Sequence, residues 1–234
     1  MDAIIGIIGA MDVEVQTIIA QLESDQESVV SGMAFHQGSL GGRTVVVVQC
    51  GVGKVNAAMC VQTLVERFGA THVINTGVAG SLSPELHVGD LVVSTDAVQH
   101  DVDVTGLGYA PGVLFGMESV GFAADAWLRE AVCRAVAEVT PDINVRCGRV
   151  ASGDQFVSSQ EVKEHIVSTF GALCCEMEGA AIAQVCARNE VPFVIVRTIS
   201  DNADESSKSS YRLSEKEEAE HCAAIVARTI ALLG

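Results

Sequence analysis

The sequence is poor in aromatic residues and in proline, and it has no long uninterrupted apolar run. Aromatic side chains make up 4% of its 234 residues, and proline occurs four times. Because no proline-rich linker or shift in composition divides the chain, we expect one domain over residues 1–234. No uncharged apolar stretch reaches the roughly 18 residues of a membrane-spanning helix. We therefore expect no association with a membrane.

Basic residues are scarce as well. Fourteen lysines and arginines face 30 acidic residues, which gives a net charge of −16. A surface of this sign repels phosphate backbones, so we expect no nucleic-acid partner. The start of the chain, Met1-Asp2-Ala3, lacks the basic segment of a secretory signal, and a cytoplasmic location is expected.

Eight cysteines are present, but none of them forms a Cys-x-x-Cys motif. Most lie in apolar runs, and a chain of this length can bury a core without disulfides, so we expect buried, reduced thiols. His100-Asp101-Val102-Asp103 resembles a set of metal ligands, but no second cluster accompanies it. The chain also lacks the Gly-x-Gly-x-x-Gly and Walker motifs. We expect neither a metal nor a cofactor.

Short β-branched runs alternate with helical patterns along the chain, which is typical of an α/β fold. Ser158 with Glu161, and Ser214 with Glu217, have the spacing of capping boxes at helix starts. A Gly41-Gly42 turn predicts a hairpin between two of the strands. The predicted strands cover residues 4–8, 35–40, 43–50, 72–76, 90–98, 144–151 and 193–199. The predicted helices cover residues 12–22, 54–68, 123–138 and 178–189, with a short helix after residue 158 and one at the end of the chain.

Several polar residues follow the carboxyl ends of predicted strands, where ligands bind in open α/β sheets. Each has a simpler explanation when it is taken alone. Glu14 and Glu178 could be acids in the first turn of a helix, and Arg197 with Asp201 could form an ion pair. Taken together, they predict three carboxylates and one arginine at the same edge of the sheet.

Seven motifs occur in a fixed order along the chain: Gly6–Met11 with Glu14, Gly51–Val55, Asn75–Gly77, His100–Thr105, Ser152–Phe156, Glu176–Glu178 and Val196–Asp201. Together they resemble the motifs of the 5′-methylthioadenosine/S-adenosylhomocysteine nucleosidases of the nucleoside phosphorylase superfamily. The resemblance covers nearly the whole chain. It implies a three-layer α/β/α fold with a twisted, mostly parallel mixed central sheet, assembled as a homodimer. It also implies hydrolysis of the N-glycosidic bond of a small nucleoside to give adenine and a 5′-thioribose.

The resemblance also implies a role for each site residue. Asp201 would be the general acid that protonates N7 of adenine, and Glu14 would activate the attacking water. Glu178 would accept hydrogen bonds from the ribose 2′- and 3′-hydroxyls, with Met177 packed on the sugar. A general acid must carry its proton near neutral pH, and burial favours the protonated form of a carboxyl. The site should therefore be buried.

Further residues would complete the site according to the same resemblance. Ser200 would support Asp201, and Arg197 would orient the region of Glu178 and the water. Phe156 would stack on adenine, and the backbone of Val157 would contact its edge. The thioalkyl end would be lined by Met11, Val52 and Tyr211, together with Val104 and Leu107 of the partner subunit.

Three positions depart from the family pattern, and other functions stay open. Val78 stands where serine is common, Leu107 where an aromatic is common and Phe115 where proline is common, so the preferred 5′ group is open. A phosphorylase on the same scaffold would need cations for phosphate, but residues 9–14 and 76–82 contain none and Glu14 is acidic. The remaining alternatives are a futalosine-type adenine nucleosidase with a bulkier 5′ group and a catalytically silent nucleoside-binding protein.

Overall fold

The computed structural model describes residues 3–117 and 119–233, and within the last helix it does not describe the side chains of residues 208–218. Runs of β-branched and other apolar residues form most of the strands. These runs are buried in the middle of the molecule. The strands are β1 Ile4–Gly9, β2 Glu23–Val30, β3 Met33–Leu40, β4 Arg43–Gln49, β5 His72–Ser81, β6 Leu91–Gln99, β7 Phe122–Ala123, β8 Val145–Ser152, β9 Cys174–Glu176 and β10 Phe193–Asp201.

In the described part of the chain, six α-helices lie between and after these strands. Helix ends follow local chemistry: Asp125 accepts a hydrogen bond from the Leu128 N–H at one start, and Gly69 and Gly171 adopt left-handed conformations at two ends. The helices are α1 Asp12–Ile19, α2 Lys54–Phe68, α3 Ala126–Val139, α4 Gln160–Phe170, α5 Gly179–Arg188 and α6 Ser207–Leu232.

The strands form one mixed sheet in the order β10-β6-β8-β9-β5-β1-β4-β3-β2, with β7 paired to β6. An additional pairing of β10 with β5 closes strands β5, β10, β6, β8 and β9 into a ring. Five of the ten pairings are parallel, among them β5 with β10 and β1 with its two neighbours. The carboxyl ends of β1, β5 and β10 therefore meet at one edge of the sheet.

Helices cover both faces of the sheet, as the resemblance predicts. Apolar residues of α2 and α5 share one core cluster with one face, and those of α1, α3 and α6 share a second cluster with the opposite face. A third, smaller cluster holds α4 against β6 and β8. In the part of the chain that is described, no helix has the length and apolar character needed to cross a membrane.

The structure corrects several predicted boundaries. The polar strand β2 was not predicted, because its first seven residues are exposed and lack an apolar alternation. β5 continues through Gly77 to Ser81, and β10 continues to Asp201, since the two strands pair along their whole length. α1 ends at Ile19, three residues before the predicted end.

Both predicted capping boxes are wrong. α4 begins after Ser159, whose side chain makes no capping hydrogen bond, and α6 begins at Ser207, so that Ser214 lies inside a helix. All eight cysteines are free, and six of them are buried as predicted. Cys133 is half-buried and Cys147 is exposed, so the prediction is wrong for these two.

Candidate active site

The three predicted carboxylates and the arginine lie around one cavity of about 250 Å³ at the carboxyl ends of β1, β5 and β10. Glu14 comes from α1, Glu178 from the start of α5, and Arg197 and Asp201 from β10. The predicted residues Met11, Val52, Val78, Phe156, Met177 and Ser200 also line this cavity.

Glu14 is buried and held by three backbone N–H groups. Oε2 accepts from Ala10 at 2.6 Å and from Met11 at 3.0 Å, and Oε1 accepts from Val78 at 3.1 Å. Burial raises the pKa of Glu14, while the Arg197 guanidinium and these N–H donors oppose the rise. The carboxylate is therefore fixed in orientation and has an increased proton affinity, as a base for water requires.

Arg197 is buried among three carboxylates and does not pair with Asp201. It forms a short ion pair with Glu176, and its NH2 lies 3.7 Å from Glu178 Oε2, while NH1 lies 4.0 Å from Glu14 Oε1. NH2 also donates to Asn75 Oδ1 at 2.6 Å. Burial alone would lower the pKa of Arg197, but the three carboxylates raise it above its ordinary value. The single positive charge of Arg197 therefore stabilises the negative charges of three buried acids.

Glu178 contacts the protein through a hydrogen bond at one oxygen and a longer ion pair at the other. Its Oε1 accepts from the Gly53 N–H at 2.8 Å, which anchors the turn before α2 to the site. Burial, followed by the charge of Glu176, raises the pKa of Glu178 to about 7. Oε2 is the oxygen nearer to Arg197, and a bound diol could donate to it.

The turn that presents Gly53 is held by a set of polar contacts. The Lys54 N–H donates to Asp154 Oδ1 at 2.8 Å, and the Asp154 N–H donates to Asp101 Oδ2 at 2.9 Å. Lys54 Nζ donates to Asp101 Oδ1 at 2.6 Å, and this contact helps to hold the pKa of Asp101 below its usual value against the effect of burial. Asp101 thus positions a turn, and no metal-binding cluster of His, Cys, Asp or Glu occurs among the described residues.

β5 passes directly beneath Glu14 and Arg197 at Gly77. A Cβ atom at this position would overlap Glu14 Oε1 and Arg197 NH1, and the residue has a φ of +147°. Glycine is required here because any side chain would displace the paired charges.

Asp201 is placed by an irregularity at the end of β10. The register with β5 shifts between Ile199 and Asp201, so that Ser200 is the extra residue of a bulge. Asp201 is 3% exposed. Its Oδ2 accepts from Ser200 Oγ at 2.9 Å, and its Oδ1 accepts from the Ala203 N–H at 2.8 Å. Ser200 thus makes the contact that its expected role beside Asp201 requires.

A side cavity of about 40 Å³ adjoins the main one near Asp201. Phe156, Val157 and Met177 line it together with Asp201. Phe156 is partly exposed and Val157 is buried. A flat aromatic base bound here would lie beside the carboxyl group of Asp201.

Two of the predicted residues were expected to reach the cavity from the partner subunit. Val104 and Leu107 lie on and beside a short helical turn, Thr105–Leu107, and Leu107 is 66% exposed. Neither of them lines the cavity of their own chain. The side chain of Tyr211 lies outside the described residues.

The sequence did not predict the roles of Glu176, Ser152 and Asn75. Ser152 Oγ forms a short hydrogen bond with Glu176, and the backbone N–H groups of Glu178 and Gly179 donate to Glu176 at 2.8–3.0 Å. Glu176 stands in the Glu-Met-Glu motif, but its arginine partner is 21 residues away in sequence. The one signal in the sequence for this role is that Glu176 is an acid at the end of an apolar strand segment.

The fold and this cluster of buried acids define a member of the phosphorylase superfamily. The family model described by that name matches residues 4–231, and the chain belongs to this superfamily. The 5′-methylthioadenosine/S-adenosylhomocysteine nucleosidase of Anoxybacillus flavithermus (strain DSM 21510 / WK1) is 43% identical over 223 residues, which is 95% of each chain. Within the superfamily, the chain belongs to the family of 5′-methylthioadenosine/S-adenosylhomocysteine nucleosidases.

Solved structures agree with this assignment and confirm the predicted fold. The Neisseria meningitidis 5′-methylthioadenosine/S-adenosylhomocysteine nucleosidase, in complex with methylthio-immucillin-A, superimposes with a TM-score of 0.94 at 39% identity. That match covers 97% of this chain and 98% of the other. The futalosine hydrolase of Helicobacter pylori strain 26695 superimposes with a TM-score of 0.93 at 34% identity, covering 98% of both chains.

Proposed function

We propose that this protein hydrolyses the N-glycosidic bond of 5′-methylthioadenosine and S-adenosylhomocysteine, releasing adenine and the 5′-thioribose product. Membership of the nucleosidase family supports the reaction, and the buried carboxylates supply the groups that it needs. The preferred 5′ substituent stays open.

The chemistry follows from the charges that develop in the transition state. Positive charge builds on the ribose and negative charge on the purine as the C1′–N9 bond breaks. Asp201 gives its proton to N7 of the leaving adenine. Glu14 takes a proton from water as the water oxygen bonds to C1′. Glu178 accepts hydrogen bonds from the ribose hydroxyls, and its negative charge favours the cationic sugar.

The observation that favours water over phosphate is the state of Arg197. It is the only lysine or arginine among the described residues that line the cavity, and three carboxylates already surround it. Arg43 donates elsewhere, to the Leu233 carbonyl oxygen at 2.8 Å. Phosphate would therefore meet an acidic site with no uncommitted cation, whereas neutral water would not be repelled.

The test is an assay of purified protein with each nucleoside, with and without inorganic phosphate. Free adenine and a free thioribose at a rate independent of phosphate are expected. A strict requirement for phosphate, or recovery of a ribose 1-phosphate, would show that the protein is a phosphorylase. No adenine from either nucleoside would favour the silent binding protein, which the presence of Glu14, Glu178 and Asp201 argues against.

The structural likeness to a futalosine hydrolase supports one second candidate, a futalosine-type nucleosidase. Adenine chemistry would be the same, and the difference would lie at the 5′ group. Competition between methylthioadenosine and aminofutalosine in one reaction separates the two. A higher kcat/KM for aminofutalosine would reverse the order of the candidates.

We also propose that the protein is a homodimer whose partner completes the 5′ pocket. Val52 is exposed in the turn before α2, Val55 and Met59 are exposed in α2, and Leu107 and Phe115 are exposed in the segment after β6. The Lys54–Asp101 ion pair links the start of α2 to the beginning of the segment after β6, and we propose that a second copy covers the exposed apolar side chains of both regions. The proposed cytoplasmic location and single domain rest on sequence composition.

Sedimentation at micromolar concentration tests the dimer. We expect Leu107→Asp to shift the protein towards monomer and to raise KM for methylthioadenosine. Val29→Asp is the matched control, because Val29 is 67% exposed on β2 and Leu107 is 66% exposed. A fully active monomeric wild-type protein would refute the shared pocket.

A further inference from the structure

Two cysteines, Cys133 on α3 and Cys147 on β8, form a pair outside the active site. Their sulfur atoms are 3.7 Å apart. Cys133 is half-buried and Cys147 is exposed, whereas the other six cysteines are buried. Burial raises the pKa of Cys50 and of Cys186 to about 12, which keeps such core thiols protonated and unreactive.

Regular secondary structure holds the pair in place. Cys147 stands opposite Val93 in the register of β6 and β8. It lies on the same face of β8 as Val145, two residues before it, because side chains alternate along a strand. Val145 and Cys133 both pack against the core cluster that contains Val132 of α3. The distance between the two sulfur atoms therefore does not depend on a loop.

The surroundings of the pair are open and contain positive charge. Trp127, Arg129, Glu130 and Arg134 line a surface cavity of about 740 Å³ together with the two cysteines. Two arginines against one glutamate make this place locally basic in a protein of net charge −16. An anionic small molecule would be attracted here.

We propose that Cys133 and Cys147 form a modification site that an anionic low-molecular-weight disulfide oxidises to an intramolecular disulfide. The exposed thiolate of Cys147 attacks one sulfur of the disulfide RSSR, so that a Cys147–SR bond forms, the RS–SR bond breaks and RS⁻ leaves. The sulfur of Cys133, after losing its proton to solvent, then attacks Cys147 Sγ and expels the second RS⁻. Two protein thiols lose two electrons and two protons, and RSSR becomes two RSH.

The order of attack follows from the environment of each thiol. Burial, and the nearby Cys147, raise the pKa of Cys133 to about 11, so its thiolate is rare near neutral pH. Cys147 is exposed and meets the small disulfide first. Cys133 is then already within contact distance of the sulfur that it must attack.

Oxidised glutathione is a suitable probe, with the whole chain followed by intact mass spectrometry. Wild-type protein should lose the mass of two hydrogens and keep no glutathione, and digestion should give one peptide pair that links α3 to β8. Cys133→Ser should instead retain one glutathione on Cys147. Cys147→Ser should react with oxidised glutathione at least about tenfold more slowly than wild type, because only buried or half-buried thiols remain.

Trp127 gives a second readout, because it is the only tryptophan and lines the same cavity. Its fluorescence should change on oxidation and return with dithiothreitol, while release of adenine stays unchanged, since the catalytic residues lie at the opposite, carboxyl end of the sheet. Glutathione that persists on wild-type Cys147, a disulfide between two chains, or an unchanged count of free thiols would overturn the proposal.

Discussion

The guanidinium of Arg197 is shared among Glu14, Glu176 and Glu178, and this sharing gives each acid a different role. Glu176 Oε2 makes the short ion pair and accepts backbone N–H groups, and Oε1 accepts from Ser152 Oγ and the Gly179 N–H, so both oxygens are engaged. Glu14 and Glu178 lie farther from the guanidinium, and burial raises the pKa of both. The short ion pair makes Glu176 structural, whereas Glu14 and Glu178, which lie farther from the guanidinium and have raised pKa values, are the acids that we assign to the water and the sugar.

Asp201→Asn should remove the leaving-group acid and leave the fold intact. The Asn amide can still accept from the Ala203 N–H and donate to Ser200 Oγ, so the contacts of the native side chain are retained. We expect kcat to fall by about 10²–10⁴-fold, the usual contribution of general acid catalysis. Steady-state assays together with thermal melts test this, and a kcat within a few-fold of wild type would place the acid elsewhere.

Glu14 and Glu178 can be distinguished by comparing kcat with ligand binding. Glu14→Gln should lower kcat but leave the affinity for a non-hydrolysable methylthioadenosine analogue nearly unchanged. The reason is that Glu14 acts on the attacking water, and its contribution appears in the transition state. It should also lower stability, since a Gln Nε2 cannot accept one of the N–H groups that now meet the carboxylate.

Glu178→Gln should weaken analogue binding as well as kcat. A hydrogen bond to a charged group contributes about 1.5–3 kcal/mol, and Glu178 would accept from hydroxyls that are present in substrate and transition state alike. Calorimetric titration of both variants with the analogue gives the comparison. Lost affinity in the Glu14 variant with none lost in the Glu178 variant would exchange the two roles.

The parallel pair β5 and β10 is the element on which the site is built. Both strands continue through glycine or a bulge into the cavity instead of ending before it. At Gly80, a Cβ would come within 3.0 Å of Asp201 Oδ1, so this strand passes close to the acid as well as to Glu14 and Arg197. Backbone that carries no side chain is what lets the acids lie against the sheet.

Gly77→Ala should therefore damage the site strongly. The added methyl group overlaps Glu14 and Arg197, and a displacement of about 1 Å in a catalytic group can cost about 10²-fold in rate. Overpacking should also destabilise the protein by about 1–3 kcal/mol. Gly42→Ala is the control, because Gly42 has a φ of +78° but nothing within 4 Å of the added atom. It should lose about 1 kcal/mol of stability and keep full activity.

The sequence was informative where local pattern and structure coincide. The apolar run of β4 and the helical spacing of α2 predicted both elements with nearly correct ends. β2 was missed because its pairing with β3 depends on backbone hydrogen bonds and leaves little apolar pattern. Gly77–Gly80 was predicted to end a strand, since glycine usually interrupts one, whereas here glycine gives room for buried charges.

The sequence predicted which residues lie at the site, but it did not predict which of them contact one another. Glu14, Glu178, Arg197 and Asp201 could be placed at one sheet edge because each follows or ends a strand. The pairing of Arg197 with Glu176 and Asn75 depends on how β10, β9 and β5 lie beside one another in three dimensions. Spacing along the chain carries no information about such a contact.

Several ionisable groups are buried in the folded molecule, and their contributions to the pH dependence of its stability have opposite signs. Burial raises the pKa of Glu14 and Glu178, and it lowers the pKa of His72 and His100. The contribution of the two acids to the free energy of unfolding falls as pH rises, because the unfolded chain releases their protons more readily than the folded protein does. The histidines act in the opposite direction, since the unfolded chain binds protons more readily at those positions. The total pH dependence near neutrality is a sum of opposing contributions.

A difference measurement isolates the contribution of Glu178. Its pKa is about 7 in the folded protein and near 4.5 when unperturbed, so its stabilising contribution is complete below pH 4.5 and is lost as pH rises through 7. Glu178→Gln does not titrate, and it leaves His72 and His100 in place. The free energy of unfolding of wild type minus that of Glu178→Gln should therefore fall by about 1–3 kcal/mol between about pH 5 and pH 8. Urea unfolding of the ligand-free proteins at several pH values measures this difference. A difference that stays constant, or that grows with pH, would mean that Glu178 is ionised throughout this range in the folded protein.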